Sequence, residues 1–261
     1  LASLNDPEVI SAAASTTARE ALDLGINWVL APDADLDIEP ANPIVQTRSF
    51  GSDPEMVGVD AGTWVRRCQE AGALACIKHF PGHGRTTRDS HDEVPTVDAD
   101  LATLEATDLV PFRAGITAGV ATVMTGHLRV PALDPSGTPA TFSAPILTYL
   151  RDTLGFRGLL VTDALMMGAA VKDTATNPSV RALAAGCDVL CYPADPQAAF
   201  EAIADAMKQG SLSEERVDEA MRRYGEALLR AQLRLASDSP HPLSPSPGGS
   251  PHPPAPSPHG G

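Results

Sequence analysis

Positive charge is scarce in this chain of 261 residues: 19 basic side chains stand against 33 acidic ones, for a formal net charge of -14 at pH 7. A surface so short of Lys and Arg excludes nucleic acid or an anionic membrane face as the main partner, because both demand a positive patch. Long hydrophobic runs are also missing. No apolar run reaches the roughly 18 residues of a membrane-spanning helix, and the opening LASLNDPEV has neither the basic start nor the apolar stretch of a secretory signal. It lacks an initiator Met as well, which points to a fragment or a trimmed start. Only four cysteines occur, Cys68, Cys76, Cys187 and Cys191, too few and too scattered for a disulfide scaffold. Cys187 and Cys191 are four apart, not the three of a CxxC redox or zinc pair, so buried and reduced thiols are expected, and with them a reducing compartment, the bacterial cytoplasm. The phosphate-cradling GxGxxG and GxxxxGK[ST] turns are absent too.

What is present falls into two parts. Residues 1–236 carry an ordinary globular composition, whereas 237–261 holds nine of the 24 prolines and almost no large apolar side chain. Such a segment cannot offset its ordering entropy by burial, and a disordered Pro-rich tail is expected, with His241, His252 and His259 as its passengers. Within the globular part, INWVLAP (26–32), ALACIKHF (73–80), VATVMTGHL (120–128), GLLVTDAL (158–165) and CDVLCYP (187–193) read as strands covered on both faces. Helical patterns separate them. Residues 7–24 present Val9, Ala13, Thr17, Ala21 and Leu24 on one side; 144–154 follows the N-cap Ser143 with Pro145 in its first turn; 213–235 places Val217, Met221, Tyr224, Leu228, Ala231 and Leu235 at helical spacing as a core-packing stripe.

Strand–helix alternation predicts an α/β protein with a parallel sheet. Polar groups recur at the strand ends: Asp33 and Asp35, Lys78 and His79, His127, Asp163. Reactive groups ringed around strand C-termini are the pattern of a (β/α) barrel mouth, although five clear strands fall short of eight and part of a barrel is missing.

The segment KHFPGHGRTTRDSHDEVP (78–95) concentrates Lys78, His79, His83, Asp89 and His91 in a Gly- and Pro-rich stretch, a loop of lid type. Two chemistries suit it. His79, His83, Asp89 and His91 could bind a divalent metal, though without the spacing of HxH or HExxH motifs. Alternatively Lys78 and His79 bind a polar substrate while Asp89 orients His91 as an acid/base. Satisfied loop histidines are the third reading. Asp163, closing the apolar run Leu159–Val161, suits either a helix N-cap or a nucleophile for glycosyl transfer.

KHFPGHG followed by DSH, VMTGH and FRGLLVTDAL, together with NWVLAP, NPIVQTRSFGSDPE and AAGCDVL, resembles the family 3 glycoside hydrolases, and among them the bacterial β-N-acetylglucosaminidases, from about residue 5 to about residue 235. The resemblance implies a TIM-type barrel, incomplete at the N-terminus by about two strand–helix units. It implies a retaining enzyme that removes terminal β-linked N-acetylglucosamine from cell-wall muropeptide fragments, with Asp163 as nucleophile, His91 as acid/base and Asp89 as its dyad partner. Arg48, Lys78 and His79 become sugar-hydroxyl binders. A His–Asp dyad departs from the usual two carboxylates, and a neutral imidazole tolerates phosphate as acceptor in place of water. No cofactor or metal is implied, the partner is a small saccharide, and nothing in the sequence sets the oligomeric state. The Asp-Gln-Glu-Gly-Gly segment whose Asp grips sugar hydroxyls in such enzymes has no counterpart here; Asp33 and Asp35 belong to the next strand and shape the rim. A silent or carbohydrate-binding remnant of the same fold, or a metal-dependent barrel hydrolase, are the alternatives.

Overall fold

In a computed structural model of the chain, residues 6–87, 94–167 and 176–237 are described, and the Pro-rich segment from 238 onward lies outside them. Four parallel strands run β1 (Trp28–Val29), β2 (Leu74–Phe80), β3 (Thr122–Thr125) and β4 (Leu159–Thr162), paired in sequence order. A parallel bridge from Val161 to Val189 adds the fifth expected strand as a single contact. The strand expectations therefore hold in place and order, with shorter cores.

Helices lie between the strands: α1 (Pro7–Asp23), α2 (Pro54–Glu70), α3 (Leu101–Ala106), α4 (Val110–Thr117), α5 (Ala144–Thr148), α6 (Pro178–Ala185), α7 (Pro196–Lys208) and α8 (Glu214–Ser237). One device starts four of them. Asp6, Asp53, Asn177 and Asp195 each accept a backbone N–H of the first turn and are each followed by Pro, whose missing N–H costs nothing there. Ser143 caps α5 in the same way, with Pro145 in the first turn, and a π-turn over Tyr149–Thr153 completes the span expected for 144–154.

Two helix faces differ from expectation. On α1 the buried line is Ile10, Ala14 and Ala18, one residue on from Val9, Ala13 and Thr17, and Leu24 is 80% exposed. On α8 Ala220, Ala227 and Ala231 are buried, while Met221 is 61% exposed and Tyr224 sits at the surface; the side chain of Leu235 lies outside the described ones. The reason is close approach. Ala227 and Ala231 pack on Leu74, Ala121 and Leu159, at the beginnings of three strands, so α8 seals the floor of the sheet and only a small side chain fits.

Ion pairs fasten that floor. The fully buried Asp188 carboxylate accepts from Arg151 (2.7 Å), Arg216 (2.8 Å), Arg223 (3.0 Å) and the Leu160 N–H (3.0 Å), joining α8 to β4. Removing the shared anion would leave three guanidinium groups without their common partner, and Asp188→Ala is expected to cost about 3–5 kcal/mol. Urea unfolding reads this directly, and an unchanged midpoint would show that α8 is held without the network.

Candidate active site

Strand alternation decides which groups face one another. In β2, Leu74, Cys76 and Lys78 share a face; in β4 and the residue after it, Leu159, Val161 and Asp163 do. Cys76, Met124 and Val161 pack together as one inner layer. One step further along the strands, Lys78 and Asp163 therefore occupy the layer at the open end. Both charges act on the Cys76 and Cys191 thiols from there; burial is the larger cause that pushes Cys76 up to about 12 and raises Cys191.

Asp163 is half-buried. Its Oδ1 accepts the N–H of Ala164 at 2.8 Å, and its own N–H donates to the Thr125 carbonyl at 3.1 Å. It caps no helix among the described residues. The turn is held from β3 by His127, whose Nδ1 meets the Thr141 hydroxyl at 2.9 Å and whose Nε2 lies 3.1 Å from the Ala164 carbonyl, so His127 is fully used inside the protein.

The other wall is built on Asp35, which is 1% exposed. Its carboxylate receives the Nδ1–H of His79 at 2.7 Å, the His83 N–H at 2.6 Å and, more loosely, the His79 N–H at 3.3 Å. Desolvation holds the His79 ring below the usual histidine range, with Asp33 and Asp163 pulling the other way. A neutral ring that gives its Nδ1 proton to Asp35 turns its Nε2 lone pair outward, where it can accept from a hydroxyl. The loop carrying Arg48 is stitched to the same anchor. Asn42 donates to the carbonyls of His83 (2.8 Å) and Gly84 (3.3 Å) and accepts from Ile44 and Val45, and the Ser49 hydroxyl donates to the Asp35 carbonyl at 2.6 Å. Gly84 permits this closeness: a Cβ there would sit 2.2 Å from the Leu36 carbonyl oxygen.

Arg48 Nη2 reaches 3.4 Å from His79 Nε2 and 3.2 Å from Asp33 Oδ2. The latter is a charge contact without an aligned hydrogen bond. Arg48, Lys78, His79 and Asp163 thus come to one end of the sheet as the sequence suggested, whereas Asp89 and His91 lie outside the described residues. Asp33 and Asp35, assigned from sequence only to the rim, make up the inner wall of the site. Asp33, Asp35 and His79 bring ligand-type atoms within 4.8 Å of one another. The set suits a metal poorly, because His79 Nδ1 is committed to Asp35 and a guanidinium already lies against Asp33. The larger set considered from sequence is depleted as well, since His83 Nδ1 is engaged by the Thr86 hydroxyl.

With this geometry in view, the comparisons with known proteins fall into place. Residues 1–226 match the sequence family described as the glycosyl hydrolase family 3 N terminal domain. The chain belongs to glycosyl hydrolase family 3. A family 3 β-N-acetylglucosaminidase from Paenibacillus sp. str. FPU-7 superposes with a TM-score of 0.83 at 38% identity, over 93% of this chain and 46% of that one. The beta-glucoside phosphorylase BglX superposes with a TM-score of 0.86 at 29% identity, over 91% and 45%. In sequence, a beta-N-acetylglucosaminidase/beta-glucosidase of Cellulomonas fimi is 34% identical over 246 residues, 90% of this chain and 43% of that protein. The chain spans about half the length of these family 3 relatives, and its arc of parallel strands is an incomplete TIM-type barrel.

In this family 3 site the Asp33 carboxyl is held away from its ordinary range. Burial and the neighbouring Asp35 push its carboxyl from 3.8 up to about 7, against the pull of His79 and Arg48. The folded protein therefore keeps a proton that the unfolded chain has released, and stability falls as pH rises between those two values. Asp33→Asn, which cannot ionise, is expected to raise Tm by several degrees near pH 8 and by about a third as much near pH 5. Equal shifts at both pH values, read by calorimetry, would contradict the assignment.

Proposed function

We propose that this chain carries the catalytic site of a retaining glycosidase acting on terminal β-linked N-acetylglucosamine. The single observation that supports it most is the meeting of the Asp163 carboxylate with Lys78, His79 and Arg48 at one end of the strands, in a family whose similar members bear the names β-N-acetylglucosaminidase and beta-hexosaminidase. In this reading Arg48, Lys78 and the neutral His79 bind sugar hydroxyls. Asp163 attacks the anomeric carbon as the bond to the aglycone breaks, and His91, oriented by Asp89, gives its proton to the departing oxygen. In the second half-reaction His91 takes a proton from water, the oxygen bonds to the anomeric carbon, and Asp163 leaves, so two inversions restore the β configuration.

Muropeptide fragments are the substrate class, and a small saccharide is the partner. Four cysteines without a disulfide support a cytoplasmic setting, and among the described residues no helix is long and apolar enough to cross a membrane. Residues 1–236 form the catalytic unit, with 237–261 a Pro-rich tail. Phosphorolysis is a second reading, favoured by the likeness to a beta-glucoside phosphorylase: a neutral His91 would admit an anionic acceptor that a carboxylate would repel.

Asp163→Ala is expected to lower turnover of p-nitrophenyl N-acetyl-β-glucosaminide by about three orders of magnitude or more with an unchanged circular dichroism spectrum. A variant that keeps most of its rate would refute the nucleophile. His91→Ala is expected to slow substrates with poor leaving groups roughly a hundredfold or more, and activated aryl glycosides far less; equal losses would contradict an acid/base role. Running both assays with and without inorganic phosphate separates free sugar from sugar phosphate as the product.

A further inference from the structure

Arg48 is a long side chain on an irregular loop, yet its head group reaches a fixed place. Its backbone belongs to a short 3-10 turn, Gln46–Arg48, and its side chain is 42% exposed. The two recorded contacts of its guanidinium are His79 Nε2 at 3.4 Å and Asp33 Oδ2 at 3.2 Å. His79 is neutral and its Nε2 accepts from the guanidinium at 3.4 Å, so only Asp33 offers an opposite charge. Asp33 is itself rigid. Its side chain is 7% exposed, its other oxygen accepts the Asp35 N–H at 3.1 Å, and its backbone is bridged in parallel register to Lys78. The Oδ2 has no aligned hydrogen bond and faces the guanidinium.

We propose that Asp33 is a positioning residue that holds the Arg48 guanidinium at the sugar site, so that sugar binding depends on the charge of Asp33. This rests on Arg48 being a sugar binder. Three charged or titratable groups act on Asp33: Asp35 from its own segment, His79 from β2, and Arg48 from the 3-10 turn; Lys78 meets it through the backbone bridge. With the carboxyl raised to about 7, the tether is present above neutrality and released below it. An ionised partner holds a guanidinium far better than a neutral acid does.

The test uses the full chain and N-acetylglucosamine itself, titrated calorimetrically near pH 8.5 and pH 5.5 into wild type, Asp33→Asn, Arg48→Ala and the double variant. Asp33→Asn is expected to weaken binding about fivefold at the higher pH, the size of one half-exposed ion pair, and to match wild type at the lower. In the Arg48→Ala background it is expected to do nothing further, whereas a structural defect would add to it. Full affinity in Asp33→Asn, beside a loss in Arg48→Ala, would overturn the tether. A wild-type chain that binds no sugar, or Arg48→Ala with full affinity, would instead remove the sugar-binding role of Arg48 on which the proposal stands. The ¹³C-detected Arg48 guanidinium ¹⁵Nη signals, which do not depend on proton exchange, read the tether without any sugar: separate Nη signals from hindered rotation in wild type near pH 8.5 and averaged ones in Asp33→Asn are expected. Identical signals in the two proteins would overturn the tether whatever the sugar does.

Discussion

A single carboxylate, that of Asp35, holds one wall of this site together. Burial this deep pushes the Asp35 carboxyl up, and the donors that pull it back are supplied by the segments that must be fixed in place: both N–H groups of His79 and the backbone N–H of His83. The carboxylate thereby sets the tautomer of His79, the path of the chain through Pro81 and Gly82, and, through the Ser49 hydroxyl on its own carbonyl, the approach of the Arg48 loop. Asn42 repeats the design from the other side, with its amide spanning the two loops. Two buried polar side chains thus do what a regular element would do elsewhere. They keep a pair of irregular loops in register with the strand ends.

The opposite wall depends on strand geometry instead. Parallel register fixes the height of Asp163 relative to β3, and the hydrogen bond from Asp163 to the Thr125 carbonyl extends the ladder by one more residue. His127 then braces the following turn. Rigid strands, with loops tied down by buried side chains, bring the two long cationic side chains, Arg48 and Lys78, to one place. Family 3 relatives carry roughly twice this length, and this chain holds the strand ends that bring Asp163, Lys78, His79 and Arg48 together.

Much of this was legible in the sequence. Apolar runs of about seven residues marked all five strands, because a strand covered on both faces has no polar alternation to hide it. The strand-end polar residues followed from those boundaries. Helices were read less well: α2, α6 and α7 begin with Asp-Pro, Asn-Pro and Asp-Pro, a cap-plus-proline signal that was available and would have located all three. The buried line of α1 lies one residue on from the stripe the sequence suggests, and on α8 the expected stripe holds at Ala231 and partly at Val217, whereas close contact with the strand beginnings selects Ala227 over the larger Met221 and Tyr224. Asp35 escaped for another reason. A carboxylate that serves by accepting backbone N–H groups from a segment more than 40 positions away leaves no local pattern.

The clamp on Asp188 has a bearing on how the chain comes into being. Leu74, Ala121 and Leu159 all precede the helix that covers them, and the arginines that meet Asp188 from that helix sit at 216 and 223. During synthesis the strands leave the ribosome long before their lid on the lower side exists, so their apolar beginnings stay wet until the final helix emerges. The nascent protein thus passes through an interval in which its upper end can already organise while its lower end is open, and that interval is when it most needs protection from its neighbours.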